Sequence, residues 1–338
     1  MVNPAKALAE WFVRRSPTTL LAFGLALSFL DSLALYAAAS KEGVLHIDHG
    51  VGLLNNYGLF STILGNAVFL YLGKKYYNAV CSIRASKVVI DSAPIERSLS
   101  DLTAKIEMRG ENKHLIYLPS IVGVLAWLSN VSSHILGSPE ARWGHKVFDS
   151  PDHPLTFWAS RLHNLYTWVV IMPFVGYVIV FTSDQLRRAM ARAARENALK
   201  YDLLNPDQRG GFVFVDKAAI SFNGVVALVY LQITMHIETF KMNSDHFIAY
   251  LLVTVLLVAI NRIFFSNIYS TITTLRLEAL NRVKDNVFKN DAVSFDVLKY
   301  CYEKRISVTS VVNFAINPGA VVVSGAIKLW PYIAKTFS

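Results

Sequence analysis

Two short patterns in this 338-residue chain set imidazole beside carboxylate: His46-x-Asp48-His49 and His236-x-Glu238. Imidazole nitrogen and carboxylate oxygen are ligands that zinc and neighbouring divalent metals accept. The same groups sense external pH, because free imidazole titrates near about pH 6.5. Ordinary polar loop residues are the third reading, and no single spacing selects among the three. A second set of polar residues interrupts apolar sequence: Asp31, Asn130, Asn164 and Gln232, with Asn66, Asn223 and Asn261 marking further runs. An ionisable group at mid-bilayer costs at least about 2.5–3.5 kcal/mol on insertion scales, so it faces a partner or water. Asp31 is predicted to pair with Arg161, which stands at the mouth of a later run. Contacts between helices are one reading of this set; a conduction path through Asp31, Asn130, Arg161, Asn164 and Gln232 is the other.

The elements that position these residues are long apolar runs. The chain is 53% hydrophobic and 17% charged, with a mean hydropathy of +0.37, whereas soluble domains carry about 25% charged residues. The runs are apolar all round rather than striped, as spans are. They predict an all-α, polytopic membrane helical bundle with about six transmembrane helices, at 19–39, 57–73, 115–136, 162–182, 218–237 and 246–266. Residues 1–18 read as an amphipathic segment on the inner surface. The first run imitates a signal peptide, with a basic start and Ala37-Ala38-Ala39 at its end, but reads as a retained span. Ser98-x-x-Asp101 is the expected cap of a short helix after the second span.

The six-span domain therefore covers 19–266. Beyond it, Ile268, Ile272, Leu275, Ala279 and Val283 continue at helical period, so 267–305 reads as a cytoplasmic helical extension. That stripe meets either a neighbouring subunit or its own chain. Residues 306–338 hold two apolar halves around Asn317-Pro318-Gly319, each too short to span, and read as a re-entrant or interfacial segment.

Charge sets the orientation. Of the 33 Lys and Arg, only Lys41, Arg142, Lys146, Arg161 and Lys241 fall on the sparsely charged side. The positive-inside rule then puts both termini in the cytoplasm. Of the nine histidines only His114 lies inside; the others gather in outer loops and at outer span ends. A lipid bilayer accounts for the +9 charge without nucleic acid. Cys81 and Cys301 fall inside, where disulfides are rare.

Asn205-Pro206-Asp207-Gln208-Arg209-Gly210-Gly211-Phe212 forms a polar turn between the apolar runs and is expected to end the arginine-bearing helix before it. Pro206 suits the second turn position and the glycines permit positive φ. Backbone amides beside Arg209 could bind an anion there, or the loop simply joins two helices. The run from Pro154-Leu155-Thr156 to this turn resembles a group of uncharacterised bacterial multi-pass membrane proteins that share a His-Pro-Asp-x-x-Gly-Gly motif, with Asn205 here in place of the His. The resemblance covers about half the chain and implies a bacterial inner membrane protein; it brings no activity.

No nucleotide-binding loop, Ser/His/Asp arrangement or HExxH motif occurs. The leading expectation is a membrane channel or transporter, a homo-oligomer with a polar path through the bundle. The alternatives are a metal- or pH-responsive sensor or assembly component with an outer His/Asp surface, and a metal-dependent membrane enzyme. A divalent metal at His46, Asp48, His49, His236 and Glu238 belongs to both alternatives.

Overall fold

The computed structural model describes residues 10–86, 88–106, 146–205, 207, 209–240 and 244–287, with single positions between 121 and 131 and at 296. Its elements are α1 (Pro17–Glu42), β1 (Gly50–Val51), α2 (Tyr57–Cys81), α3 (Ala93–Ile106), β2 (Lys146–Val147), α4 (Pro154–Leu165), a π-turn (Tyr166–Ile171), α5 (Met172–Arg195), α6 (Val213–Phe240) and α7 (Ser244–Val287). The chain is overwhelmingly helical. Three helices among the described residues are long and apolar enough to cross a membrane: Pro17–Glu42, the continuous Pro154–Arg195, and Val213–His236. Most of the expected span at 115–136, and all of 306–338, lie outside the described residues.

Local chemistry fixes the helix ends. Ser16 caps α1 by accepting the Thr19 N–H at 3.1 Å, and Pro17 follows at a position where its missing N–H costs nothing. Gly43 closes the helix at φ 71°. The expected cap at Ser98 is not used. Helix α3 starts five residues earlier, where Asp91 accepts the Ala93 N–H at 2.9 Å, and Ser98 is buried and donates to the Pro94 carbonyl. Ser98 turned inward because it lies on the apolar face with Ile95, Leu99 and Leu102.

Helix α5 also ends before the expected stop at Asn205. Asn197 takes φ 52° after Arg195, and Ala198 N–H returns to the Ala193 carbonyl. Asparagine tolerates this left-handed position better than most side chains. The chain then runs beside Val89, bridged to Leu199, before the polar turn.

Helix α2 is the spine. It packs on α1 along one flank and on α6 and α5 along the others. Against α1 the approach is close: a Cβ on Gly24 would lie 2.5 Å from the Ala67 Cα. Gly24, Ser28 and Ser32 recur every four residues along that seam, the small-residue spacing that lets membrane helices approach. A second tether holds the N-terminal helical residues 10–14. Lys74 Nζ donates to the Val13 carbonyl at 2.7 Å and sits over the Phe12 and Tyr77 rings. Lys74, Tyr76 and Tyr77 are all buried within the chain, with Tyr76 hydroxyl 2.6 Å from Ser183 Oγ.

Helix α7 runs unbroken to Val287, and its stripe at Ile272, Leu275, Ala279 and Val283 packs against the main apolar core of its own chain.

Candidate functional site

Pro173 shapes the centre of the long helix Pro154–Arg195. It has no N–H, and in a regular helix its ring would strike the carbonyl four residues back. The helix widens ahead of it into the π-turn, where the Met172 N–H reaches the Thr167 carbonyl. Such single π-turns recur at functional sites. His163, Tyr166 and Thr167, spaced i, i+3 and i+4, share the face at the start of this turn.

That face meets α1 and α2. His163 is fully buried, and its Nδ1 lies 2.5 Å from Asp31 Oδ2. The Tyr166 hydroxyl donates to the same carboxylate oxygen at 2.7 Å and lies 3.0 Å from His163 Nδ1. On the far side of the ring, Nε2 stands 3.1 Å from Thr62 Oγ1. Asn66, 2% exposed, donates from Nδ2 to Thr167 Oγ1 at 2.8 Å, while its Oδ1 is buried without a partner. Five polar side chains around Asp31 thus meet between apolar helices. Ser28, one turn before Asp31, extends the polar seam toward the Ile63 carbonyl.

The seam continues onto α6. Gln232 is buried and donates to the Ser61 carbonyl at 3.3 Å, and the His236 ring nitrogen Nδ1 lies 3.0 Å from the Gln232 carbonyl. The glycines of α2 make room for them: Gly65 faces the Gln232 amide and Gly58 faces the His236 ring. His236 lies within electrostatic reach of His163.

The predicted Asp31–Arg161 pair does not form. Arg161, 2% exposed, is in an ion pair with Asp149, which also accepts from Ser160 Oγ at 3.1 Å, and its guanidinium stands over the Phe157 ring. Arg161 and His163 are two positions apart on one helix and so point to different sides. The side facing Asp31 is that of His163. Trp127 Nε1 donates to the Arg161 carbonyl at 2.8 Å. Of the proposed path residues, Asp31 and Gln232 lie on the seam, Asn164 is half-buried beside it, and Asn130 lies outside the described residues.

The His46-x-Asp48-His49 and His236-x-Glu238 patterns are arranged differently. His46, Asp48 and His49 sit exposed on the turn between α1 and β1, with His49 at φ 57°. His236 is turned into the α6 seam, and the side chain of Glu238 lies outside the described residues. Among the described residues, no three His, Cys, Asp or Glu side chains gather as a metal site would require. At the same end of the bundle, the Glu42 carboxylate caps α4, accepting the Leu155 and Thr156 N–H groups at 2.8 and 3.0 Å and the Thr156 hydroxyl at 2.7 Å. Nothing in the local sequence signals this cap, because Glu42 and Leu155 are remote along the chain.

The polar turn on the other side takes the predicted backbone. Gly210 and Gly211 have φ 64° and 92°. A side chain at Gly210 would strike the Tyr201 ring, and one at Gly211 would strike Val88. The amides that an anion would use are already engaged: Asp207 Oδ1 accepts from Arg209 N at 2.8 Å and Gly211 N at 3.1 Å. Arg209 pairs with Asp216 at 3.0 Å. The turn joins two helices, and among its described residues the Arg209 and Gly211 amides are not free for an anion. Comparison with protein-family models, curated proteins and solved structures finds no match for this chain.

Proposed function

We propose that this protein is a membrane channel or transporter whose polar path passes Asp31. The observation that carries the reading is the Asp31–His163–Tyr166 constellation, held with Thr62, Asn66 and Thr167 between helices whose other faces are apolar. Ionisable groups in such a place are costly and mark ion or substrate routes. A purely structural tie between helices needs one hydrogen bond, not a carboxylate, an imidazole and a phenol on a widened helical turn. In this reading the chain is a bacterial inner membrane protein of six spans with both termini in the cytoplasm, working as a homo-oligomer. Gln232 and His236 extend the path along α6.

The test is solute flux in proteoliposomes, with sodium, potassium and chloride as probes, for the wild-type protein and Asp31→Asn. Wild-type flux above that of empty vesicles, lost in the variant, is expected. Unchanged flux in Asp31→Asn refutes the path.

A further inference from the structure

We propose that the ion this path moves or couples to is the proton, and that the Asp31–His163 pair is the group that carries it. The proposal rests on the transport reading above and names its ion.

A count of hydrogens leads there. Thr62 has one hydroxyl hydrogen, and the Leu59 carbonyl takes it at 2.7 Å. Thr62 Oγ1 therefore offers His163 Nε2 a lone pair, and Nε2 carries a hydrogen to meet it. Tyr166 also has one hydroxyl hydrogen, which it donates to Asp31. Its oxygen then offers a lone pair toward His163 Nδ1. Nδ1 thus faces two oxygens, neither of which has a hydrogen to give from its own inventory. The 2.5 Å contact between Nδ1 and Asp31 Oδ2 needs one more hydrogen. With it, both ring nitrogens donate, and the pair is an imidazolium against a carboxylate, neutral as a whole.

Loss of that proton has a defined consequence. The Nδ1–H bond breaks and a water molecule takes the proton as hydronium. Imidazole and carboxylate then face each other as two acceptors, and the pair keeps a net negative charge in an apolar surrounding. The contact must open or the proton must return. Proton occupancy and the α1–α4 contact are thereby one variable, as a coupled transporter requires.

The charged neighbours fit this role. From α1 the ring meets Asp31; from its own helix, Tyr166; from α2, Thr62, which does not titrate in the working range. From α6, His236 acts through space. Arg161, nearby in sequence, is committed to Asp149. The buried, unpaired Asn66 Oδ1 provides an acceptor for the water that delivers the proton.

The experiment uses the full chain in liposomes that contain potassium and the trapped pH dye pyranine. Valinomycin sets an inside-negative potential, and luminal acidification reports proton entry. The expected result is acidification at least about tenfold faster than in empty vesicles, abolished by Asp31→Asn and by His163→Gln. A wild-type protein that carries sodium, potassium or chloride while the lumen never acidifies, at rates indifferent to a pH gradient, overturns the proton and leaves the transport reading standing. A wild-type protein inert to every probe overturns both. A second measurement needs no functional variant. Nitrogen-15 NMR of histidine-labelled wild-type protein at neutral pH is expected to show one imidazolium signal, absent in His163→Gln. A spectrum with neutral rings only overturns the proposal.

Discussion

Gly24→Ala tests whether the α1–α2 contact is as close as described. A Cβ there would lie 2.5 Å from the Ala67 Cα, 2.7 Å from its Cβ and 3.3 Å from its nitrogen. Ordinary carbon–carbon contacts lie near about 3.5–4.0 Å, so the helices must part by about 1 Å. Overpacking of this kind costs about 1–3 kcal/mol. The nearest atom is backbone, so no rotamer change relieves it, and Ala67→Gly added to Gly24→Ala restores little. Gly65→Ala is the control. Its new methyl meets the far end of the Gln232 side chain, which can swing away at the loss of its bond to Ser61, about 1 kcal/mol. Thermal unfolding of the purified protein in detergent should rank Gly24→Ala below Gly65→Ala, with Gly65→Ala below wild type. Asp31 lies seven residues beyond Gly24 on the same face, so Gly24→Ala should also weaken the histidine signal of the Asp31–His163 pair. A Gly24→Ala protein as stable as wild type, or one rescued fully by Ala67→Gly, would refute the close approach.

Other outcomes follow from single contacts. Asp207→Ala releases the Arg209 and Gly211 amides and should cost about 1–3 kcal/mol, read as faster proteolysis within 198–212. Glu42→Ala removes the remote cap of α4 and should lower stability by about 0.5–2 kcal/mol, with faster hydrogen exchange at Leu155 and Thr156. Burial pushes the Cys81 thiol up, so less of it is thiolate at neutral pH. Maleimide labelling of Cys81, followed by peptide mass spectrometry, should be slower than for a free thiol and should accelerate as pH rises toward its titration.

The helices were legible because apolar runs of span length have few other uses, and the positive φ of Gly210 and Gly211 was legible because few other residues take it. Helix ends were harder. Pro154 reads as a loop residue ahead of a span at 162–182, yet it is the first residue of α4, whose first amides the remote Glu42 carboxylate accepts. Ser98 looked like a cap by spacing alone, yet the face it shares with Ile95 and Leu102 turned it inward. At the site, Asp31 announced itself as a charge inside an apolar run. Its partner was misassigned to Arg161 by matching sign to sign, when the i, i+3, i+4 spacing of His163, Tyr166 and Thr167 was available to mark the facing surface. The Gly24-x-x-x-Ser28-x-x-x-Ser32 series was a further visible sign of where α1 would dock. The Arg161–Asp149 pair joins residues twelve apart across a loop, and no local pattern specifies it.

The π-turn has a consequence for phase. One residue added to a helix rotates everything beyond it by about 100°, and Tyr166–Ile171 takes up such a residue in mid-span. The half that carries His163 and the half that carries Arg187 and Arg188 are therefore indexed independently. Leu186, Ala189, Met190 and Ala193 find the core on one side of the break, while His163 and Thr167 find α2 on the other. Straightening this turn would swing the arginines around the helix axis while the imidazole stayed where it is, so the proline sets the bearing of one end against the other.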